Sequence, residues 1–324
     1  MTRSPGPLRA LRVVAGVAVA VCIGMGMALQ TRGNGELGRV WADPFAAALW
    51  SFGTGLVIVV AACLALRRGR RGLARIPAAV RSGELPVWAL GGGVVGASFV
   101  LAQAAVSPLL GVALFTVGTV AGQSIGGILI DRWGIGPGGP RPVTPTRVLG
   151  GAAMVVAVIW GASAGTSAAA PWLAMAVPIA IGIAMGWQQA ANGRVRRAAD
   201  SALVATVGNF GVGTLLLGLA FAVHAATAGL PRPGVAPGWA YLGGAIGVVY
   251  IAASSVLVHQ LGVLLLSLGA VAGQVLGSLL VDVLLPAGDH VVTFATIGSA
   301  VLTVLAVAIT AIPSLWPRGR RPSV

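Results

Sequence analysis

Ala121–Asp131 reads AGQSIGGILID, and Ala272–Asp282 reads AGQVLGSLLVD. The stretches lie 151 residues apart and share Ala, Gly, Gln, a second Gly, Leu and the closing Asp. Working outward, the same offset pairs Gly111 with Gly262, and Trp88, Gly92, Gly93 and Gly96 with Trp239, Gly243, Gly244 and Gly247. Upstream, an offset of 158 pairs Met27, Gln30, Asn34, Gly35 and Arg39 with Met185, Gln188, Asn192, Gly193 and Arg197. It continues through Phe52, Gly53 and Gly55, which pair with Phe210, Gly211 and Gly213. Chance does not readily place so many glycines and amides in register. The chain reads as a duplication, with a first unit over 1–166 and a second over 167–324.

The solvent of this duplication is lipid. Of 324 residues, 57% are hydrophobic and 9% charged, and the mean hydropathy is +0.93. Soluble domains carry about 25% charged residues, and a water-facing surface needs such a coat. In a bilayer the backbone must satisfy itself, so spans are helices or closed barrels. The apolar runs here are long and continuous, which selects helices. The expectation is an all-α polytopic membrane protein of about ten transmembrane helices. They fall near 13–31, 45–66, 87–105, 109–130, 148–166, 172–190, 202–224, 239–258, 261–285 and 291–312. Ser107-Pro108 and His259-Gln260 mark the two shortest breaks. The basic N-terminus resembles a signal peptide but lacks a clear cleavage site, and it is read as a retained helix.

Every basic residue other than histidine is Arg. With the N-terminus inside, eighteen arginines fall in cytoplasmic segments and three (Arg32, Arg39, Arg232) outside, which supports both termini being cytoplasmic. Trp88, Trp172, Trp239 and Trp316 sit near span ends, as interfacial anchors do. Each unit holds five spans. An odd number inverts the second unit relative to the first, giving an inverted 5+5 repeat. Such repeats build alternating-access transporters, with the substrate path at the repeat interface.

Other classes fit poorly. The net charge of +14 comes from arginines clustered between apolar runs, which argues for loop anchors and against a nucleic-acid groove. Cys22 and Cys63 fall inside spans and have no disulfide or metal spacing. His224, His259 and His290 fall near span ends as loop histidines, also without metal spacing. No phosphate-cradling loop and no nucleophile–base pair is present, so neither an enzyme nor a cofactor is expected. Energy would come from an ion or solute gradient.

The candidate substrate path is built from amides. Gln30 and Asn34 lie four apart on one helix face, and Gln188 and Asn192 repeat them. They could line a cavity. They could equally bond between helices, and Asn34 and Asn192 could end their helices beside Gly35 and Gly193. Gln123 and Gln274 sit deep in their spans among glycines. They read either as a paired solute contact near the midplane or as packing contacts. Asp131 and Asp282 are the acids nearest the membrane core. Asp131 adjoins Arg132 at a boundary, whereas Asp282 has apolar neighbours on both sides and is the candidate for proton coupling. Glu36 and Asp43 are expected to face water. The loop from Arg67 to Arg81 is expected to fix topology and meet anionic lipid.

The Q-x-x-x-N-G motif followed by Phe-Gly-x-Gly, the Gly-Gly-x-x-Gly helix, and AGQ with Asp eight residues on resemble the YdcZ-type family in the drug/metabolite transporter superfamily. The resemblance covers nearly all but the tails and presents the chain as two fused five-helix units. In one place the units differ: Asp131-Arg132-Trp133-Gly134 becomes Asp282-Val283-Leu284-Leu285. The resemblance implies a bacterial inner-membrane exporter of a small molecule whose identity it does not give. A lipid-linked carrier translocator, or an accessory subunit without transport of its own, is the competing reading. The partners expected are a small solute and the bilayer; a homo-oligomer remains open.

Overall fold

A computed structural model describes residues 7–135, 145–163, 170–231, 234–286 and 292–311. Helices α1 (Pro7–Val40), α2 (Pro44–Ala65), α3 (Arg67–Arg81), α4 (Gly92–Leu110), α5 (Val112–Trp133) and α6 (Pro145–Ser163) form the first unit. Helices α7 (Ala170–Ala199), α8 (Ala202–Ala228), α9 (Gly243–Leu284) and α10 (Phe294–Ala311) form the second. Short 3₁₀ turns, Val87–Gly91 and Gly238–Leu242, lead into α4 and α9. The described residues contain no strand. Six segments among them are long and apolar enough to cross a membrane. Four more (Val148–Gly161, Gly238–Ala253, Gly269–Leu284 and Phe294–Ile309) are apolar but shorter.

The boundaries depart from expectation at four places. First, α1 does not stop at Asn34-Gly35 but runs to Val40, and α7 runs past Asn192-Gly193 to Ala199. Charged side chains paired along the last turns of α1 carry it beyond its apolar stretch. Second, the stretch 67–81 is a helix and not a loop. Its arginines spread over the exposed face while Gly69 is buried against Cys63 of α2, and Gly72 and Ala79 against α7 and α8. Third, the chain passes through Pro108 in helix and breaks at Gly111, whose φ of +76° suits a residue without a side chain.

Fourth, α9 is helical over 42 residues, about 63 Å if straight, twice the hydrocarbon thickness of about 30 Å. Its packing shows that it doubles back. Ala20, Val21 and Met25 meet Gly269, Gly273 and Gly277 in the same order, so α1 runs parallel to the end of α9. Gln30 and Asn34 meet Gly247 and Gly243 in reverse order, so α1 runs antiparallel to its start. The reversal lies between 247 and 269, where the eighth and ninth expected spans meet.

The contacts come in repeat-related pairs. Gly24 of α1 packs on Ala270 and Gln274 of α9, and its mate Gly182 of α7 packs on Thr119 and Gln123 of α5. Gly93 approaches Asn209 and Gly213, and Gly244 approaches Ser51 and Gly55. Each unit therefore lends its first helix to the other. The equivalent helices α2 and α8 meet through Gly55 on Phe210 and Gly213 on Phe52. That order makes them antiparallel. A twofold relating two antiparallel helices runs across them, as an inverted repeat requires.

An aromatic core lies at this axis and an aliphatic one beside it. One gathers Phe52, Phe99, Phe115 and Phe210, the other Met154, Met175 and Val117. The fifth spans, α6 and α10, pair at the periphery through Gly161 on Ser299 and Gly298 on Trp160. Val155, Val156, Ile159, Leu215, Leu219, Val301 and Leu305 are exposed on the outer helices. An apolar surface this extensive is expected of a protein whose solvent is lipid.

Candidate functional site

Phe52 and Phe210 occupy the centre, with ring centroids 4.9 Å apart and planes inclined by 40°. They are mates in the repeat, so the pseudo-twofold passes between them. Amides collect on either side. On one side Gln30 is buried near Gly247, and its Oε1 has no hydrogen-bond partner. Asn34 is fully buried and donates through Nδ2 to Gln103 Oε1 at 2.7 Å, while its own Oδ1 has no partner. Gln103 Nε2 donates to Thr31 Oγ1 at 2.8 Å. A buried amide oxygen without a donor costs a few kcal/mol in apolar surroundings, so each of the two oxygens is a group that an added donor would stabilise.

Across the aromatic pair, a Cβ placed on Gly96 would lie 2.8 Å from both Gln188 Nε2 and Asn209 Oδ1 and 3.2 Å from Phe52 Cζ. Asn209 donates through Nδ2 to Asn192 Oδ1 at 3.4 Å. The four amides expected at the repeat interface thus form two clusters separated by a phenylalanine pair. Gln123 is apart from them, its Nε2 lying 3.2 Å from Met185 Sδ, a weak acceptor. Gln274 contributes its backbone to the contact with Gly24.

Sequence reading passed over Gln103, Thr31, Ser51 and Asn209. Asn209 carried a signal: it occupies the position of Ser51 immediately before the matched Phe, and identity matching discards such a pair. Gln103 is the only amide in its span, and its mate, Ser254, hides it.

Asp282 is buried, and both carboxylate oxygens accept backbone N–H groups at the start of α5, Val112 at 2.8 Å and Ala113 at 2.7 Å. It caps a helix of the other unit across the Gly111 break. The side chain of Asp131 lies outside the described residues, as does that of His259; His290 lies outside them entirely.

Glu36 and Asp43 do not face water, contrary to expectation. Both are buried. Glu36 pairs with Arg32 at 2.7 Å and Arg39 at 2.6 Å. Asp43 caps α2 through the N–H groups of Phe45 and Ala46. His224 stacks on Phe45 at 4.9 Å, with Nε2 3.9 Å from Asp43.

Arg32 has a second role. Its Nε donates to Leu285 O at 2.7 Å and its Nη2 to Pro286 O at 3.2 Å, and its guanidinium lies 5.6 Å from the Trp239 ring centre. At the opposite end of the molecule Arg194 donates through Nε to Ile135 O at 3.0 Å and lies 5.3 Å from the Trp88 ring centre. Trp88 and Trp239 are mates, as are Ile135 and Pro286. The arginines are not, since they sit one helical turn out of register. Each nonetheless ties the first helix of one unit to the end of the AGQ helix of the other. Among the described residues, the Arg32 tie carries a buried carboxylate, Glu36.

The sequence model described as "Putative inner membrane exporter, YdcZ" matches the chain twice, over residues 15–160 and 173–309. The chain belongs to the YdcZ family. The double match covers both units, so this is a two-unit YdcZ protein of the inner membrane, and its class is membrane transport. No curated protein matches the chain.

Proposed function

We propose that this YdcZ protein is a secondary exporter that moves a small polar solute by alternating access between its two inverted units. The observation that carries the reading is the pair of amide clusters separated by Phe52 and Phe210. Gln30 and Asn34 with Gln103 form one half-site, and Gln188 and Asn192 with Asn209 form the other. A solute with hydrogen-bonding groups satisfies the orphan oxygens of Gln30 and Asn34 and trades them for the opposite amides as the phenylalanines part. Charged side chains are sparse there, which favours an uncharged or zwitterionic cargo.

Arg32 and Arg194 act as the two closures, on the periplasmic and cytoplasmic faces respectively, with both termini in the cytoplasm. In this reading the Arg32 closure, with its buried ion pair to Glu36, holds the described conformation sealed outside. Gln123 and Gln274 line the contacts along which α5 and α9 slide on α7 and α1. Asp282, with its repeat mate Asp131, is the proton-coupling candidate: a proton on its carboxylate removes an acceptor from the α5 N-terminus and loosens that joint.

Flux from proteoliposomes loaded with a panel of uncharged and zwitterionic metabolites tests this. At least one solute should leave only when protein is present, and Gln30→Leu and Gln188→Leu should each stop it. Translocation of lipid headgroups without solute flux would replace the exporter with a lipid carrier. Proton dependence surviving in Asp282→Asn would remove the coupling role.

A further inference from the structure

The α2–α3 and α7–α8 junctions border an open cavity of about 770 Å³ lined by Arg67, Arg68, Arg196, Arg197 and Asp200. Four arginines and one acid share this lining, and the Asp200 carboxylate lies 3.5 Å from a fifth arginine, Arg75. None of the four side chains has an acceptor among the described residues. Two helix N-termini converge on the same space. α3 starts at Arg67 behind Leu66, and α8 starts at Ala202 behind Ser201; neither N-cap makes a side-chain bond. The C-terminal ends of α2 and α7 meet at the same junctions and offset the dipoles of α3 and α8, so the positive charge of the place comes from the arginines. Clustered guanidinium forks suit an oxyanion, and phosphate is the one that a membrane face supplies in quantity.

The repeat shows what is missing. In the first unit Glu36 neutralises Arg39 at 2.6 Å. The mate of Arg39 is Arg197, and the residue matching Glu36 is Arg194, which is turned to Trp88 and Ile135. The second unit has kept the cation and exchanged its carboxylate for another cation. The cavity is also rigidly framed. A Cβ on Gly72 would lie 2.8 Å from Ala199 O and 2.9 Å from Val204, so α3 is held closely against the α7–α8 corner. Exposed Leu64 and Leu66 border it with apolar surface.

We infer that this cavity binds a phosphate-bearing anion, with Arg67, Arg68, Arg196 and Arg197 as its ligands. Two sources supply that chemistry: the headgroup of an anionic phospholipid and soluble phosphate. The site is separate from the amide clusters and stands whether or not they carry a solute.

Native mass spectrometry of the full chain, purified with phosphatidylglycerol or with phosphatidylcholine, reads lipid retention. Thermal melting with inorganic phosphate reads the soluble source. The expected result is retention of phosphatidylglycerol over phosphatidylcholine. It should weaken about fivefold for each guanidinium removed, as in Arg68→Gln with Arg197→Gln. Arg68→Lys with Arg197→Lys should restore most of it, and Arg81→Gln, outside the cavity, should leave it unchanged. Stabilisation by phosphate without lipid preference, lost in the double Gln variant, would assign the soluble source. If that variant does not fold, loss of retention by the native protein at high salt carries the same information. Equal retention of both lipids, with no stabilisation by phosphate, overturns the inference.

Discussion

At the scale of single residues, the buried charges were the least legible part of the chain. Glu36 and Asp43 sit in TRGNGELGRVWAD, which reads as a wet loop because nothing local reveals that Leu285, Pro286 and Trp239 return to cover it. The partners are some 250 residues away in sequence. The amides were legible as residue types, since polar groups inside apolar spans stand out, but their grouping was not. Gln123 and Gln274 read as the foremost site candidates, ahead of Gln30, yet it is Gln30 and not Gln123 that lies in an amide cluster. The Arg32–Glu36 pair gives a direct prediction. Glu36→Gln leaves a buried guanidinium without its counter-ion and should lower stability by about 3 kcal/mol or more. Asp200→Asn removes an exposed carboxylate and should change it by about 0.5 kcal/mol or less. Melting of the two variants in one detergent decides the matter; equal curves would mean that the Arg32 pair is no stronger than a surface one.

At the scale of helices, periodicity and length found the apolar segments but not how they end. The α4–α5 break was placed at Ser107-Pro108 because proline disrupts helices; Pro108 is accommodated, and Gly111 makes the break. The amphipathic α3 was missed because its arginines dominated the reading, although Gly69, Gly72, Ile76 and Ala79 recur at helical spacing. The α5 N-terminus depends on a residue of another helix, since Asp282 supplies the cap that its own sequence lacks. Asp282→Ala should cost about 1–2 kcal/mol, with faster amide hydrogen exchange confined to the first turn of α5. Exchange spread evenly over the chain would show that Asp282 does not act on that joint. Close glycines make a second element-scale prediction. Gly122→Val drives a branched side chain into Ile179 and Gly182 and should destabilise by about 1–3 kcal/mol. Gly127→Ala, where a Cβ meets nothing within 4 Å, should be neutral or slightly stabilising.

At the scale of the whole molecule, the duplication was the most legible feature, because close packing forces the same glycines to recur in both units. Gly55 and Gly213, Gly93 and Gly244, Gly122 and Gly273, and Gly126 and Gly277 each face the other unit, which holds the registers at 151 and 158; Gly53 and Gly211 meet nothing within 4 Å, and Gly35 packs on α4 of its own unit. The paired arginine ties were hidden by the same logic, since Arg32 and Arg194 lie one turn out of register. The central proposal is that the two ends open in alternation, with Arg32 holding the described conformation shut on the periplasmic side. Thiol labelling from each side of oriented vesicles tests it, with Cys22 and Cys63 replaced by alanine and Gln30→Cys or Gln188→Cys introduced singly. An impermeant reagent should reach the Gln188→Cys thiol from the cytoplasmic face while the Gln30→Cys thiol stays protected, and Arg32→Ala should reverse that pattern. Labelling of both thiols from one face, or a pattern indifferent to Arg32→Ala, would contradict it.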